Sequence, residues 1–178
     1  MFEAWNKIEA WLSKNEPELF NSLLEGASDD EIKKTETILN ISFPEDFISC
    51  YKKHNGFVKN KGFIWGWELC SLEEIEKEWK IWNDLEELKD LKSDPDKGIK
   101  DDWFNNKWIP FLSNGFGDFC CIDLDPAIDG NEGQVITLWH DNPSRTIEAS
   151  NLKEFFDLFF DDLESNNYEI TKYGLEKL

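Results

Sequence analysis

The order of hydrophobic patterns predicts an α+β domain with a mostly antiparallel sheet flanked by helices. Helical periodicity occupies the early chain, strand-like runs broken by Gly and Asp turns fill residues 108–149, and a helical pattern follows them. Elements arriving in blocks, without βαβ alternation, argue for α+β. The chain has 178 residues and no internal repeat, so one domain over 1–178 is expected. Hydrophobic residues make up 40% and aromatics 15%, enough for a packed core despite 32% charged residues.

Phe2, Trp5, Ile8 and Leu12 recur at helical spacing and mark a first helix. Pro17 can open a second, through Leu23 and Leu24 and closed by Gly26. Ser28 with Glu31 forms a capping-box pattern for a third, ending near Asn40. Pro44 starts a fourth with Phe47, Ile48 and Tyr51 inward, and Gly56 closes it. "GFIWGWELC" (62–70) reads as a strand with Phe63, Trp65 and Trp67 on one face. A second capping box, Ser71 with Glu74, opens a long helix through Ile75, Trp79, Trp82 and Leu88 to about Leu91. Residues 93–106 read as a polar connector. Strands are expected at 109–112, 119–124, 134–139 and 145–149, and Asn151 caps a last helix through Phe155, Phe156, Phe159 and Leu163.

Charge excludes whole classes of partner. With 38 acidic against 19 basic residues the net charge is −19, and the only Arg is Arg145. Nucleic acid and anionic membranes call for a basic patch, and none is present. The acidic excess serves solubility, or steers the chain toward a basic partner. Four Cys lack CxxC spacing, and adjacent Cys120 and Cys121 should face opposite sides of a strand, as buried thiols of a reducing compartment. No stretch suits a signal peptide or membrane span, so a cytoplasmic location is expected.

The chemistry that the residues could support is thin. Asp123, Asp125, Asp129 and Glu132 cluster in sequence, but Ile128 and Gln134 stand where a calcium loop needs Gly and Glu. His54 and His140 are far apart and lack thiols at zinc-ligand spacing. "GFGDFC" lacks the third Gly of a phosphate loop and falls between strands. His140 and Asp141 with Cys120 or Cys121 could compose a nucleophilic set only if folding gathers them. No cofactor, metal or catalytic residue is therefore assigned. Trp65 and Trp67 beside Glu68 read as core or as an exposed aromatic anchor with an acidic rim.

Three blocks carry a family resemblance. "ISFPEDFISCYKKHNGF" (41–57), "WIPFLSNGFGDFCCIDLDPAIDGNEGQVI" (108–136) and "IEASNLKEFFDLFF" (147–160) follow one another in order within roughly 28–163. Together they resemble the SUKH superfamily, in the branch typified by the fungal cell-wall regulators Smi and Knr. The resemblance implies a single α+β domain without catalytic residues. Bacterial members are mostly immunity proteins against polymorphic toxins, and fungal members act as signalling scaffolds. The expectation drawn here is an immunity protein that occludes a cognate toxin with a basic surface, such as a nuclease; the alternative is a non-enzymatic scaffold of the Smi/Knr type. Candidate partner-binding residues are Trp65, Trp67 and Glu68, Asp123 and Asp125 on an outward strand face, and Asp129 and Glu132 in the following loop.

Overall fold

Capping chemistry places the helices. The computed structural model describes residues 1–58, 61–85 and 90–178. It begins with α1 (Phe2–Asn15), a single turn α2 (Pro17–Phe20), α3 (Asp29–Leu39) and α4 (Glu45–Lys53). Ser28 Oγ accepts the Glu31 N–H at 3.3 Å while the Glu31 carboxylate accepts the Ser28 N–H at 2.8 Å, so the predicted capping box closes α3 at its start. Asn40 ends α3 in the left-handed region, with φ of 52°. The second capping box, Ser71 with Glu74, starts α5 (Leu72–Asp84). Asn151 caps α6 (Leu152–Glu164) by accepting the Glu154 N–H at 2.9 Å.

Six strands form the main sheet: β1 (Glu68–Leu69), β2 (Asp94–Pro95), β3 (Trp108–Ser113), β4 (Phe119–Asp123), β5 (Gln134–Leu138) and β6 (Ser144–Ala149). Their order is β1-β3-β4-β5-β6-β2, antiparallel throughout except for the β2–β6 pair. A C-terminal hairpin, β7 (Tyr168–Thr171) and β8 (Gly174–Lys177), completes a single α+β domain.

Both faces of the sheet are covered. One packs Ile109, Phe111, Cys120, Ile122 and Val135 against buried residues of α1, α3, α4, α5 and α6. Trp5 stacks on Phe63 at 5.6 Å, and Phe43, Phe47 and Tyr51 stack in succession at 4.3 and 4.4 Å. On the other face Trp108, Phe119, Cys121, Ile136 and Leu138 meet Trp82 and Ile99 in a smaller core. Cys120 and Cys121 thus lie on opposite faces, as strand alternation requires.

Several boundaries differ from the sequence expectation. The second helix stops at Phe20, and Leu23 instead bridges to Phe57. The fifth ends at Asp84; Leu88 lies outside the described residues. The connector at 93–106 contributes β2 to the sheet edge. Residues 62–70 are not one strand. Phe63 N donates to Trp67 O at 2.7 Å and Trp67 N to Ile64 O at 2.9 Å, so the segment turns back at Trp65-Gly66 and only Glu68–Leu69 joins the sheet.

Candidate functional site

The sheet separates the candidate residues into two groups. Glu68 pairs with Ser113, Ser113 with Phe119, and Phe119 with Leu138, so Trp67, Glu68 and Trp139 lie at one end of the strands. Trp108 pairs with Asp123 and Asp123 with Gln134, so Asp125, Asp129 and Glu132 leave the opposite end. Strands of this length span roughly 17–20 Å. The seven candidates therefore do not form one surface.

Asp123 is the main correction. It was expected on an outward face, yet it is fully buried. Its carboxylate accepts the Asp125 N–H and the Gln134 side-chain amide, both at 2.9 Å. Gln134 also donates to Gly98 O at 3.0 Å and accepts the Asn131 N–H at 3.0 Å. Burial pushes the Asp123 carboxyl above the usual carboxylate range, against the hydrogen bonds that favour its ionised form. Asp123 and Gln134, both within the recognised sequence block, thus clasp the 124–133 loop. Asp125 is occupied as well, by Lys100 at 2.6 Å and Asn105 at 3.1 Å. Partial burial opposes its ionisation, but those partners outweigh burial and lower its pKa. Asp129 is exposed and pairs with Lys97 at 3.3 Å; Glu132 is exposed.

The nucleophilic set does not assemble. Cys120 and Cys121 are fully buried, and burial pushes both thiols well up, so neither supplies a thiolate. His140 instead meets Asp118, with Nδ1 at 2.8 Å and its backbone N–H at 3.0 Å from Oδ1. Asn114 donates to the other Asp118 oxygen at 2.6 Å. Burial opposes ionisation of Asp118, but these donors outweigh it and lower its pKa, while the bond to Asp118 raises that of His140. Asp118, His140 and Asp141 bring one ligand atom each within 4.8 Å of one another. The Asp118 oxygens are already engaged, so this group closes the turn that carries Gly115 and Gly117, both at positive φ.

Arg145 was not singled out by the sequence beyond its rarity. It is fully buried, and its guanidinium donates to the carbonyls of Trp103, Trp139, Asn142 and Ser144 at 2.7–3.3 Å. It also lies 5.0 Å from the Trp103 ring. Burial lowers its pKa to about 10. Arg145 thereby fixes the 139–144 turn to the 103 loop.

At the tryptophan end, Trp65 meets Trp67 edge-on at 6.1 Å and Phe155 at 5.3 Å, and Trp67 meets Trp139 at 5.6 Å. Trp65 and Trp67 are half-buried, and Trp139 is 36% exposed. Trp139 was placed in a strand but not among the candidates. Its position two residues past the inward-facing Thr137 was the available signal.

The description of the SMI1/KNR4 family (SUKH-1) matches residues 26–158. The chain belongs to this family. Similar SMI1/KNR4 proteins include KNR4/SMI1 homolog 2 of Debaryomyces hansenii, 28% identical and covering 93% of this chain and 36% of that protein. The cell wall assembly regulator SMI1 of Saccharomyces cerevisiae is 23% identical over 93% of this chain and 41% of its own length. The glucan synthesis regulatory protein of Neurospora crassa is also 23% identical, over 93% and 38%. The chain thus spans 36–41% of these relatives' lengths. Relatives named as fungal cell-wall and glucan-synthesis regulators overturn the expectation of a toxin-immunity protein. Among the described residues, no helix is long and apolar enough to cross a membrane.

Proposed function

We propose that this SMI1/KNR4 chain is a non-enzymatic interaction module of a cell-wall regulator, which presents an acidic surface to a basic protein partner. One observation carries the reading: the side chains that the sequence offered for nucleophilic or metal chemistry are engaged in the fold. Cys120 and Cys121 are core residues, Asp118 and His140 close a turn, and Asp123 and Gln134 clasp a loop. The −19 net charge is then available for steering a partner of opposite sign. Relatives named as regulators support the same role. Glu68, Asp129 and Glu132, with Trp65 and Trp67, are kept as contact residues in this proposal; Asp123 is not.

The test replaces the matching segment of the Saccharomyces cerevisiae cell wall assembly regulator with this chain. The chimera should restore growth on wall-perturbing medium to cells lacking that regulator, as reinsertion of the native segment does. A folded, expressed chimera that performs no better than an empty vector overturns the reading.

A further inference from the structure

We propose that the corner formed by Trp65, Trp67 and Trp139 seats the cationic side chains of an extended basic segment of a partner protein. This rests on reading the chain as a binding module, and it names the place and the ligand chemistry. The rings form a chain of edge contacts at 6.1 and 5.6 Å, and each keeps part of its surface in water. Exposed aromatic area forgoes roughly 25 cal/mol per Å² of burial. Grouped exposure of this kind marks interaction sites.

The backbone adds an independent sign. Trp65 and Gly66 have φ of 58° and 79° in the two-residue turn closed by Trp67 N–H to Ile64 O. Gly or Asn would take the first position without strain, whereas a bulky side chain in the left-handed region costs about 1–2 kcal/mol. A tryptophan held there against its backbone preference points to use of the ring.

Carboxylates stand around the rings, while the cationic side chains beside Trp139 are already engaged, His140 by Asp118 and Arg145 by backbone carbonyls. Glu68 follows Trp67, and Glu176 Cγ lies 3.7 Å from where a Cβ on Gly66 would stand. Asp141 follows Trp139 by two residues. Glu148 accepts from Thr137 and Thr146, and Thr137 shares the sheet face of Trp139. Among the described residues, no lysine forms an ion pair with Asp141, Glu148 or Glu176. The one arginine is buried, and its terminal guanidinium nitrogens donate to carbonyls, including that of Trp139. Aromatic faces within a carboxylate rim suit lysine or arginine through cation–π attraction and opposite charge. A second copy of the chain brings the same −19, so charge opposes self-association here.

The experiment titrates ¹⁵N-labelled protein at about 0.15 M salt with a decapeptide of alternating arginine and glycine; a glutamate–glycine decapeptide is the control. The tryptophan indole signals, assigned by single Trp→Phe replacements, report the site. Those of Trp65, Trp67 and Trp139 should move first, and Trp67→Ala and Trp139→Ala should each weaken binding about 3–10-fold. Glu45→Gln, at an exposed acid next to Pro44, which faces Gly133 at the opposite end of the sheet, should change it by less than about 2-fold. If Trp67→Ala unfolds, the more exposed Trp139→Ala decides alone. Unchanged affinity in Trp139→Ala, no shift at these indoles, or conversion of a dimer to a monomer by Trp139→Ala each overturns the proposal. Peptide binding that ignores the tryptophans removes this corner but leaves the module reading standing, whereas failure of the chimera removes the module reading itself.

Discussion

Buried carboxylates with assigned donors make the sharpest residue-level tests. Asp123 offers two acceptor oxygens to two N–H donors, and Gln134 cannot turn over because its own oxygen accepts from Asn131. Asp123→Asn therefore sets an amide donor against a donor, and should cost about 1–3 kcal/mol in denaturant unfolding at pH 7. The folded pKa of Asp123 lies above the ordinary 3.8, so its contribution is greatest below 3.8 and declines as pH rises through the folded value. The stability gap to the Asn variant should widen as pH is lowered; a gap that narrows would contradict the burial argument. For Asp118 and His140 the two shifts bound a window. The lowered Asp118 pKa stabilises above 3.8 and is lost as pH falls, and the raised His140 pKa stabilises below 6.5 and is lost as pH rises. Asp118→Asn should therefore hurt most between those values, and the His140 pKa followed by NMR should drop back toward 6.5. A chelator should leave the melting temperature unchanged, since Asp118 already has protein donors; a fall would mean that the Asp118–His140–Asp141 group holds a metal. The alternation of Ile122 and Leu124 with Asp123 and Asp125 suggested a half-exposed strand. It misled because Trp82 and Ile99 cover the second face, and a helix and a loop brought there by folding leave no trace in strand periodicity.

Elements were readable where a local interaction fixes them. The two capping boxes bond within four residues, and both form as the sequence predicts. Ser28→Ala and Ser71→Ala should each cost about 0.5–2 kcal/mol in thermal or denaturant unfolding. The loss should be larger for Ser71, whose cap is partly shielded from water, than for exposed Ser28. Negligible losses would show the helices held by packing alone, and equal losses would show that shielding of the Ser71 cap adds nothing. The 62–67 turn was hidden because Trp-Gly is not a usual left-handed pair, and the C-terminal hairpin was missed because Tyr168, Ile170 and Leu175 give a weak alternation. What holds that hairpin is non-local. Gly62 N–H donates to Tyr173 O, Leu175 N–H donates to Gly62 O, and a Cβ at Gly174 would stand 2.1 Å from Gly62 O. Gly174 also has φ of 119°, so Gly174→Ala should cost at least about 1–3 kcal/mol from the backbone alone. Hydrogen exchange at Leu175 and Gly62 should accelerate together if the hairpin lifts as a unit; protected amides in the variant would place its support elsewhere.

Across the whole molecule, charge was the most legible property and the location of its use the least, because composition carries no geometry. Acids outnumber bases 38 to 19, so repulsion among like charges must exceed the gain from surface pairs such as Lys52–Asp29 and Lys92–Asp101. Exposed pairs of that kind contribute about 0–1 kcal/mol each, and added salt screens attraction and repulsion alike. Shortening the screening length from about 30 Å at 0.01 M to about 10 Å at 0.1 M removes the many long-range repulsions before the few close attractions. The melting temperature should therefore rise with sodium chloride over that range, and neutralising exposed Glu132 or Asp141 should raise it slightly at low salt only. Association with a basic peptide should respond in the opposite direction, because there the screened interaction is attractive. Scanning calorimetry and a binding titration across the same salt series measure both signs in one protein. Stability that falls with salt would mean that the acids are already balanced by close lysine pairs. The surface would then have little unspent charge with which to draw a partner.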